Sequence, residues 1–381
     1  MKIKDRKIVV INQAINYLTI GLCNEFADKF ENVSVITGNI HAQGEELNKE
    51  IEITYINKWI EAHGIKKAWV YLKALIHMYF LLITKYRKYE VFFVSVPPMA
   101  YLLNLIVTNR FSMIIWDVFP DTFKITGMKE TNSVYRIWAR LNRYSFKKAY
   151  RLFTIGDCMA DLISTYVEKD KIIIQPIWSI FQDNDKIDKS NNPFIKEHSL
   201  EGKFIVQYSG NIGLTHKVEV MLELAEKMKD NESILFQIIG RGPRVSVLKK
   251  QVSKKKLSNC QFLPFQSDEM FPYSLGAADL GIVVLDELTA KGSVPSKSYN
   301  LMSYGIPSLY IASEDSELNN YAKKFKHSKC FSELELDKAV SFITEISANK
   351  TFYNELARNN VKAAENFKRI NAYKFVKAYL A

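Results

Sequence analysis

Short runs of β-branched and aromatic residues alternate with longer stretches of helical spacing along almost the whole chain. In the first half, Lys7–Ile11, Val33–Thr37, Ile51–Ile56, Val91–Ser95, Phe111–Trp116, Leu152–Ile155 and Ile172–Gln175 read as strands. Between them Gln13–Phe30, Lys66–Arg87, Ser133–Lys148 and Cys158–Val167 carry helical periodicity. A second series follows, with strands expected at Lys203–Tyr208, Ile234–Ile239, Cys260–Leu263, Leu280–Leu285, Ser308–Ile311 and Lys329–Phe331. Helical patterns occupy 216–229, 243–255, 267–277, 296–304 and 315–325, then 335–348 and 351–380. Such alternation predicts parallel sheets covered by helices on both faces.

From Phe181 to Gly202 the pattern breaks. Asp183-Asn184-Asp185 and Lys189-Ser190-Asn191-Asn192-Pro193 are polar and leave few apolar pairs, the composition of a hinge. Four segments result: an N-terminal domain over 1–180, a linker over 181–202, a second domain over 203–365, and a helix over 366–381 expected to pack back on the first domain. The fold class is α/β, two Rossmann-like domains facing across a cleft. Open parallel sheets bind ligands beyond the carboxyl ends of their strands, so a nucleotide and a second substrate suit this architecture.

Composition narrows the partners. The net charge of +11 favours anionic ones: phosphates, an anionic bilayer or nucleic acid. Cys23, Cys158, Cys260 and Cys330 are widely spaced, with no C-x-x-C pair; they read as reduced thiols of a cytosolic protein. The start, Met1-Lys2-Ile3-Lys4-Asp5-Arg6, lacks the apolar core of a signal peptide. The longest apolar stretch, Ala68 to Thr84, is interrupted by Lys73 and His77, so no spanning helix is expected.

Candidate chemistry concentrates in four segments. In Gly292-Ser293-Val294-Pro295-Ser296-Lys297, a strand and loop lead to a helix opening near Pro295 and Ser296. Proline suits a first turn and serine can cap it. Free amides and the helix dipole make such an end an anion site, and Lys297 adds a full charge. Gly305 and Pro307 then stop the helix. A capped helix with an exposed lysine is the plain alternative. In Tyr208-Ser209-Gly210-Asn211-Ile212-Gly213-Leu214-Thr215-His216-Lys217, glycines after a strand let a phosphate approach the backbone, or simply make a tight turn. Ile239-Gly240-Arg241-Gly242-Pro243-Arg244 repeats that form with two arginines. Phe262-Leu263-Pro264-Phe265, followed by Ala277-Ala278-Asp279-Leu280, is the fourth.

In this order and at these spacings, the four segments resemble the C-terminal nucleotide-binding domain of GT-B glycosyltransferases of family 4. The likeness is to the bacterial capsule and O-antigen branch that includes L-fucosamine and colanic-acid transferases, and it covers 203–311 well. The resemblance implies a retaining transfer of sugar from a nucleotide-diphosphate sugar, with UDP favoured by family habit. It implies a lipid-linked or oligosaccharide acceptor, no cofactor and no metal. It places Gly210, Asn211 and Gly213 against the donor diphosphate, Phe265 at the base, and Ser296, Lys297 and Asn300 at phosphate and ribose. Two departures stand out. Relatives carry two glutamates on the last donor loop and helix, where this chain has Gly292 and Asn300, with Asp286 or Glu287 as substitutes for the first. The N-terminal Asn12-Gln13-Ala14-Ile15 lacks the usual glycine pair.

In the first half the resemblance is looser. Ser95-Val96-Pro97-Pro98, Ile115-Trp116-Asp117-Val118-Phe119-Pro120-Asp121 and Gly156-Asp157 look like its acceptor-side loops. Asp117 falls where relatives place an acid beside the reacting sugar; a helix or turn cap is the other reading. A departing diphosphate needs fixed cations, and Lys297, Lys217 and Arg241 are the candidates. Asp183-Asn184-Asp185 lies in the hinge and reads as solvated linker. In the helix Lys66–Arg87, Lys66, Lys73, His77 and Thr84 fall near one stripe, Trp69, Val70, Leu72, Leu75, Ile76, Tyr79, Phe80, Leu82 and Ile83 cover most of the rest, and Lys85, Arg87 and Lys88 flank it, which suits a headgroup layer or burial over a sheet. Arg136, Arg140, Arg143, Lys147 and Lys148 add a second basic helix. Peripheral contact with the inner face of an anionic membrane is therefore expected. A nucleotide-sugar epimerase and a two-lobed binding protein are the rival readings. Nucleic-acid binding is disfavoured by the lack of a recognition signature, and a dehydrogenase by the lack of G-x-G-x-x-G.

Overall fold

A computed structural model describes residues 2–60, 64–182, 187, 189–213 and 217–381. It divides the chain into two compact units: Met1–Ile180 with Arg369–Ala381, and Phe181–Lys368.

In the first unit the strands of the main sheet are β1 (Ile3–Ile11), β2 (Phe30–Thr37), β3 (Glu52–Tyr55), β4 (Glu90–Val94), β5 (Phe111–Ile115), β6 (Leu152–Thr154) and β7 (Ile172–Ile174). They form one parallel sheet in the order β3-β2-β1-β4-β5-β6-β7. The central strands are unbroken apolar runs because helices cover both faces; Ile8, Val9, Val10 and Val91 through Val94 are fully buried. The helices are α1 (Tyr17–Lys29), α2 (Gly64–Ile83), α3 (Ser133–Lys148) and α4 (Asp157–Ile163). Asn16 caps α1 by accepting from the Thr19 amide, and Asn132 caps α3 through the Val134 amide.

In the second unit β8 (Phe204–Asn211), β9 (Ile234–Arg241), β10 (Cys260–Leu263), β11 (Leu280–Val284), β12 (Ser308–Ile311) and β13 (Ser328–Phe331) form a parallel sheet in the order β10-β9-β8-β11-β12-β13. Third-second-first-fourth-fifth-sixth is the doubly wound Rossmann order, and the first unit follows the same scheme with a seventh strand added. Helices α5 (Pro193–Glu197), α6 (Glu219–Lys227), α7 (Val245–Lys255), α8 (Phe271–Gly276), α9 (Lys297–Ser303), α10 (Glu317–Phe325), α11 (Leu336–Ala348) and α12 (Lys350–Ala364) wrap it.

Three expectations are revised. The polar segment 181–202 is part of the second unit, not a separate hinge: Phe194, Ile195 and Leu200 are buried with Ile205, Ile239 and Ala277, and Asn192 donates to the Tyr273 carbonyl. Asp183-Asn184-Asp185 lies outside the described residues, as does His216 at the start of the expected helix 216–229. The pattern 351–380 is two helices, α12 and α13 (Ile370–Leu380). Between them Phe367 inserts among Tyr299, Tyr321 and Phe325 of the second unit, while α13 belongs to the first. There Tyr379 packs among Phe26, Phe30 and Phe92, and Arg369 pairs with Glu25 and Glu45. Strand β8 also runs on through Gly210 to Asn211, because its partner there is Gly240.

Candidate functional site

In the second unit the site is built where β8, β9 and β10 end and α9 begins. The last residues of β8 and β9 stand side by side, Gly210 opposite Gly240 and Asn211 opposite Arg241. A Cβ on Gly240 would lie 2.0 Å from the Gly210 carbonyl oxygen, so glycine is obligatory there. The space above Gly210 is filled from the other side by Lys297: a Cβ on Gly210 would sit 3.3 Å from its Nζ.

Lys297 is the first residue of α9, and its side chain folds back over the sheet edge. Its ammonium lies 3.9 Å from the centre of the Tyr208 ring, a contact a cation finds favourable. Its Nζ is buried and accepts or donates no hydrogen bond among the described residues. Removal from water pushes its pKa down to about 7. The expected alternative of a solvent-exposed lysine is thereby replaced: this is a buried cation without a counter-charge, aimed at a glycine turn. Native folds rarely leave such a group unpartnered without a ligand to meet it. Beneath it Gln207, Ser209, Asn300, Leu275 and Leu301 line a cavity of about 20 Å³, room for about one water and no more.

The other expected donor-site residues are distributed unevenly. Ser296 does not cap α9. It is exposed and already has helical dihedrals (φ −60°, ψ −22°), whereas a capping side chain needs an extended backbone. Its neighbour Ser298 instead donates to the Pro295 carbonyl at 2.8 Å. With seven residues, α9 contributes little dipole, so Lys297 carries the positive charge of this corner. Lys217 does not present a free charge: it is held by Glu333 at 2.9 Å and Asp286 at 3.4 Å, and the Glu333 contact raises its pKa. Asp286 is further committed, being buried and capping the Leu288 amide at 2.9 Å; of the two substitutes for the missing first glutamate, Glu287 is the exposed one. Arg241 lies 4.9 Å from the centre of the Phe265 ring, and Phe265 is 50% exposed. A guanidinium on an open aromatic face at a strand end is a stacking platform. Asn211 is exposed at the tip of β8, its carbonyl accepting from the Tyr208 hydroxyl at 2.7 Å, and a Cβ on Gly213 would sit 3.1 Å from the Asn211 amide. Asn300 is partly buried in the cavity wall. Tyr208 and Gln207 were not expected: in sequence they are indistinguishable from core strand residues.

In the first unit Asp117 follows β5. It makes no hydrogen bond or ion pair among the described residues, so it is not a cap. Desolvation alone pushes its pKa up to about 6. The structural acid of this loop is Asp121, which is buried and accepts from the Tyr135 and Tyr166 hydroxyls with Lys124 at 2.9 Å. The Ser95 hydroxyl accepts from the Trp116 amide at 3.3 Å and so ties the loops after β4 and β5 together.

Helix α2 ends at Ile83, short of the expected Arg87. It buries Ala74, Met78 and Leu82 but leaves Trp69, Leu72, Ile76, Phe80 and Ile83 exposed. Their spacing puts them on one stripe. Arg136, Arg140, Arg143 and Lys147 are exposed along one stripe of α3 and form no ion pair among the described residues. Among the described residues no helix is long and apolar enough to cross a membrane, and no three His, Cys, Asp or Glu side chains converge as a metal site.

These features have counterparts in known proteins. Residues 190–360 match the family described as "Glycosyl transferases group 1". The probable glycosyltransferase WbjE of Pseudomonas aeruginosa is 26% identical over 223 residues, 57% of this chain and 55% of that protein. The putative colanic acid biosynthesis glycosyl transferase WcaI of Escherichia coli K12 is 28% identical over 204 residues, 53% of this chain and 50% of that one. The matches thus span about half the length of these curated relatives. The crystal structure of Anabaena HepE in complex with UDP and glucose superposes with a TM-score of 0.73, covering 98% of this chain and 99% of that chain at 12% identity, which shows a common fold. This chain carries a domain of the glycosyl transferases group 1 family, on the two-unit Rossmann-like fold of GT-B glycosyltransferases.

Proposed function

We propose that the protein transfers a sugar from a nucleotide-diphosphate sugar, with UDP as the nucleotide, to a lipid-linked or oligosaccharide acceptor of a bacterial surface polysaccharide, with retention of configuration. One observation carries the reading: the buried, counter-charge-free Nζ of Lys297 beside the Gly210 turn. A diphosphate seated on that turn supplies the missing partner, and the ammonium stabilises the charge that grows on it as the sugar departs. The Arg241–Phe265 platform takes the base, and Asn211, Gly213, Ser296 and Asn300 complete the donor contacts. Arg241 also offers charge to the phosphates, whereas Lys217 serves only if the ligand draws it from Glu333. Asp117, unpaired in its own unit, faces the acceptor chemistry. No metal or cofactor enters this scheme. The relatives support it in kind: WcaI is named for colanic acid biosynthesis, and the HepE structure holds UDP and glucose.

The exposed apolar stripe of α2 and the basic stripe of α3 suit peripheral attachment to the anionic inner leaflet, where a lipid-linked acceptor would reside. Thermal-shift measurements with UDP, ADP, GDP and dTDP test the donor site, since a ligand of the native state raises its melting point. UDP is expected to stabilise the protein and Lys297→Ala to remove the effect. No shift with any nucleotide diphosphate ends the proposal. Hydrolysis or epimerisation of the donor without acceptor would favour an isomerase instead. Retention is read from the anomeric configuration of the product, and attachment from flotation with anionic vesicles.

A further inference from the structure

The loop after β5 is tied on both sides of Asp117 but not at Asp117 itself. The Trp116 amide donates to the Ser95 hydroxyl at 3.3 Å, and the Thr122 amide donates to the Val118 carbonyl at 2.9 Å. The Phe119 carbonyl accepts from the Asn142 side-chain amide at 2.6 Å. The Phe119 ring stacks on Trp138, the centroids 5.8 Å apart and the planes 14° from parallel. Asp121 accepts from the Tyr135 and Tyr166 hydroxyls. Among these tied groups Asp117 is half-buried and makes no hydrogen bond or ion pair among the described residues. A carboxyl with no partner has nothing to hold it in place except the backbone that carries it.

Three of the ties come from the inward face of α3, where Tyr135, Trp138 and Asn142 follow one another at i, i+3 and i+7. Asn142 is fully buried, and its direction is dictated from behind. The Trp138 indole N–H can only donate, and it donates to the Tyr101 oxygen at 2.9 Å. The Tyr101 hydroxyl in turn donates to the Asn142 Oδ1 at 2.8 Å, which leaves Nδ2 to face the Phe119 carbonyl. Turned over, the carboxamide would set oxygen against oxygen at Phe119 and strand the Tyr101 proton. Tyr101 and Trp138 are themselves buried, so no water replaces a broken link. We propose that Asn142 is a positioning residue for Asp117: by gripping the Phe119 carbonyl, two residues on, it fixes the backbone that presents the free carboxyl beyond the end of β5. The idea rests on the reading of Asp117 as the acceptor-side acid. It needs no charge acting through space. Asp121 and Lys124, the charged pair of the same loop, meet each other at 2.9 Å, and desolvation alone acts on the Asp117 carboxyl.

The test follows the titration of Asp117 by NMR of the full-length protein with aspartate labelled at the side-chain carboxyl carbon, the resonance being assigned through Asp117→Asn. The wild-type midpoint is about 6. Asn142→Leu keeps the volume and removes the grip. Water then reaches the loosened loop, and the midpoint is expected to fall by about one pH unit toward the ordinary carboxylate value. Tyr101→Phe removes the hydroxyl that orients the carboxamide and should give a smaller fall in the same direction; it decides the matter if Asn142→Leu does not fold. Phe26→Leu is the control. It thins the packing against Phe30, Phe92 and Tyr379, away from the loop, and should lower the melting point with the midpoint unmoved. A midpoint that stays in place in the folded Asn142 and Tyr101 variants, or that moves equally in Phe26→Leu, overturns the proposal. Transfer from a panel of radiolabelled UDP-sugars into extracted bacterial lipid is read separately, and Asn142→Leu should lower it by roughly tenfold with UDP affinity unchanged. Wild-type transfer by Asp117→Asn defeats the reading of Asp117 as an acid. Lost transfer in Asp117→Asn beside an unmoved midpoint in Asn142→Leu defeats only the role of Asn142.

Discussion

If Lys297 meets the donor diphosphate, UDP affinity must follow the charge on its amine. The unliganded amine titrates at about 7 because burial disfavours its charged form and nothing among the described residues compensates. A bound diphosphate raises that value, so each pH unit above the free midpoint removes proton occupancy that binding must restore. Affinity should then fall about fivefold between pH 7 and pH 8 and about tenfold further by pH 9. Calorimetry at several pH values measures this, and buffers of different ionisation enthalpy report the proton taken up. Lys297→Met should weaken UDP by about 10- to 100-fold, the worth of one or two charge-assisted hydrogen bonds, and abolish the pH dependence. It should also stabilise the unliganded protein. The sign follows from linkage: the folded-state pKa lies below the unfolded 10.5, so the unfolded chain binds more protons between about 7 and 10.5 and stability rises with pH across that window. At and below neutrality the full penalty is present, and removing the amine should raise the melting point of the second unit by roughly 2–4 °C, equivalent to about 1 kcal/mol in a unit of that size. An affinity for UDP that is flat from pH 7 to 9, or a Lys297→Met variant that keeps the wild-type dependence, would refute the reasoning.

Asp117→Asn should leave UDP affinity unchanged and reduce transfer strongly. The wild-type rate should also fall below about pH 6, where the Asp117 carboxyl takes up its proton; paired with the loss of the Lys297 charge above about 7, this gives a narrow bell in kcat/KM. Gly240→Ala should cost roughly 3 kcal/mol or more, visible in urea titration, because its Cβ would sit 2.0 Å from the Gly210 carbonyl oxygen and only backbone movement relieves that. A melting curve unchanged by this substitution would show that the β8–β9 approach is looser than described. Phe265→Ser should weaken UDP more than inorganic pyrophosphate, since it removes a stacking face and no charge; equal losses for both ligands would place the base elsewhere.

The strand–helix alternation was legible because buried parallel strands must be apolar on both faces, which leaves short β-branched runs that no amphipathic helix imitates. Ser133–Lys148, Cys260–Leu263 and Ser308–Ile311 match their elements end to end. What escaped were features set by tertiary contact. The segment 181–202 is polar in sequence yet buries Phe194 and Leu200, because three apolar residues suffice to anchor a short helix when a ready-made sheet face, here Ile205 and Ile239, receives them. The 351–380 pattern is continuous in periodicity, and only the pull of two different cores, Phe367 into one and Tyr379 into the other, shows why it breaks.

The same logic separates what could be read of the site from what could not. Glycines 210 and 240 were visible as punctuation after strands, and Lys297 as a cation at a helix start. Composition placed the charge, but the physics of Lys297 is not that of a helix end: Ser296 makes no cap, α9 is short, and the amine lies against Tyr208. Lys217 is a candidate cation in sequence and carries no free charge in the structure, since Glu333, more than a hundred residues away, neutralises it. Nothing local distinguishes a lysine that will find an acid from one that will be buried without one. The difference lies in which side chains the sheet edges bring together. On the proposed donor-site reading, an amine that the fold buries unpaired, at a cost to its own stability, is completed electrostatically by the ligand, which is why its burial carries the proposal and the motif around it does not.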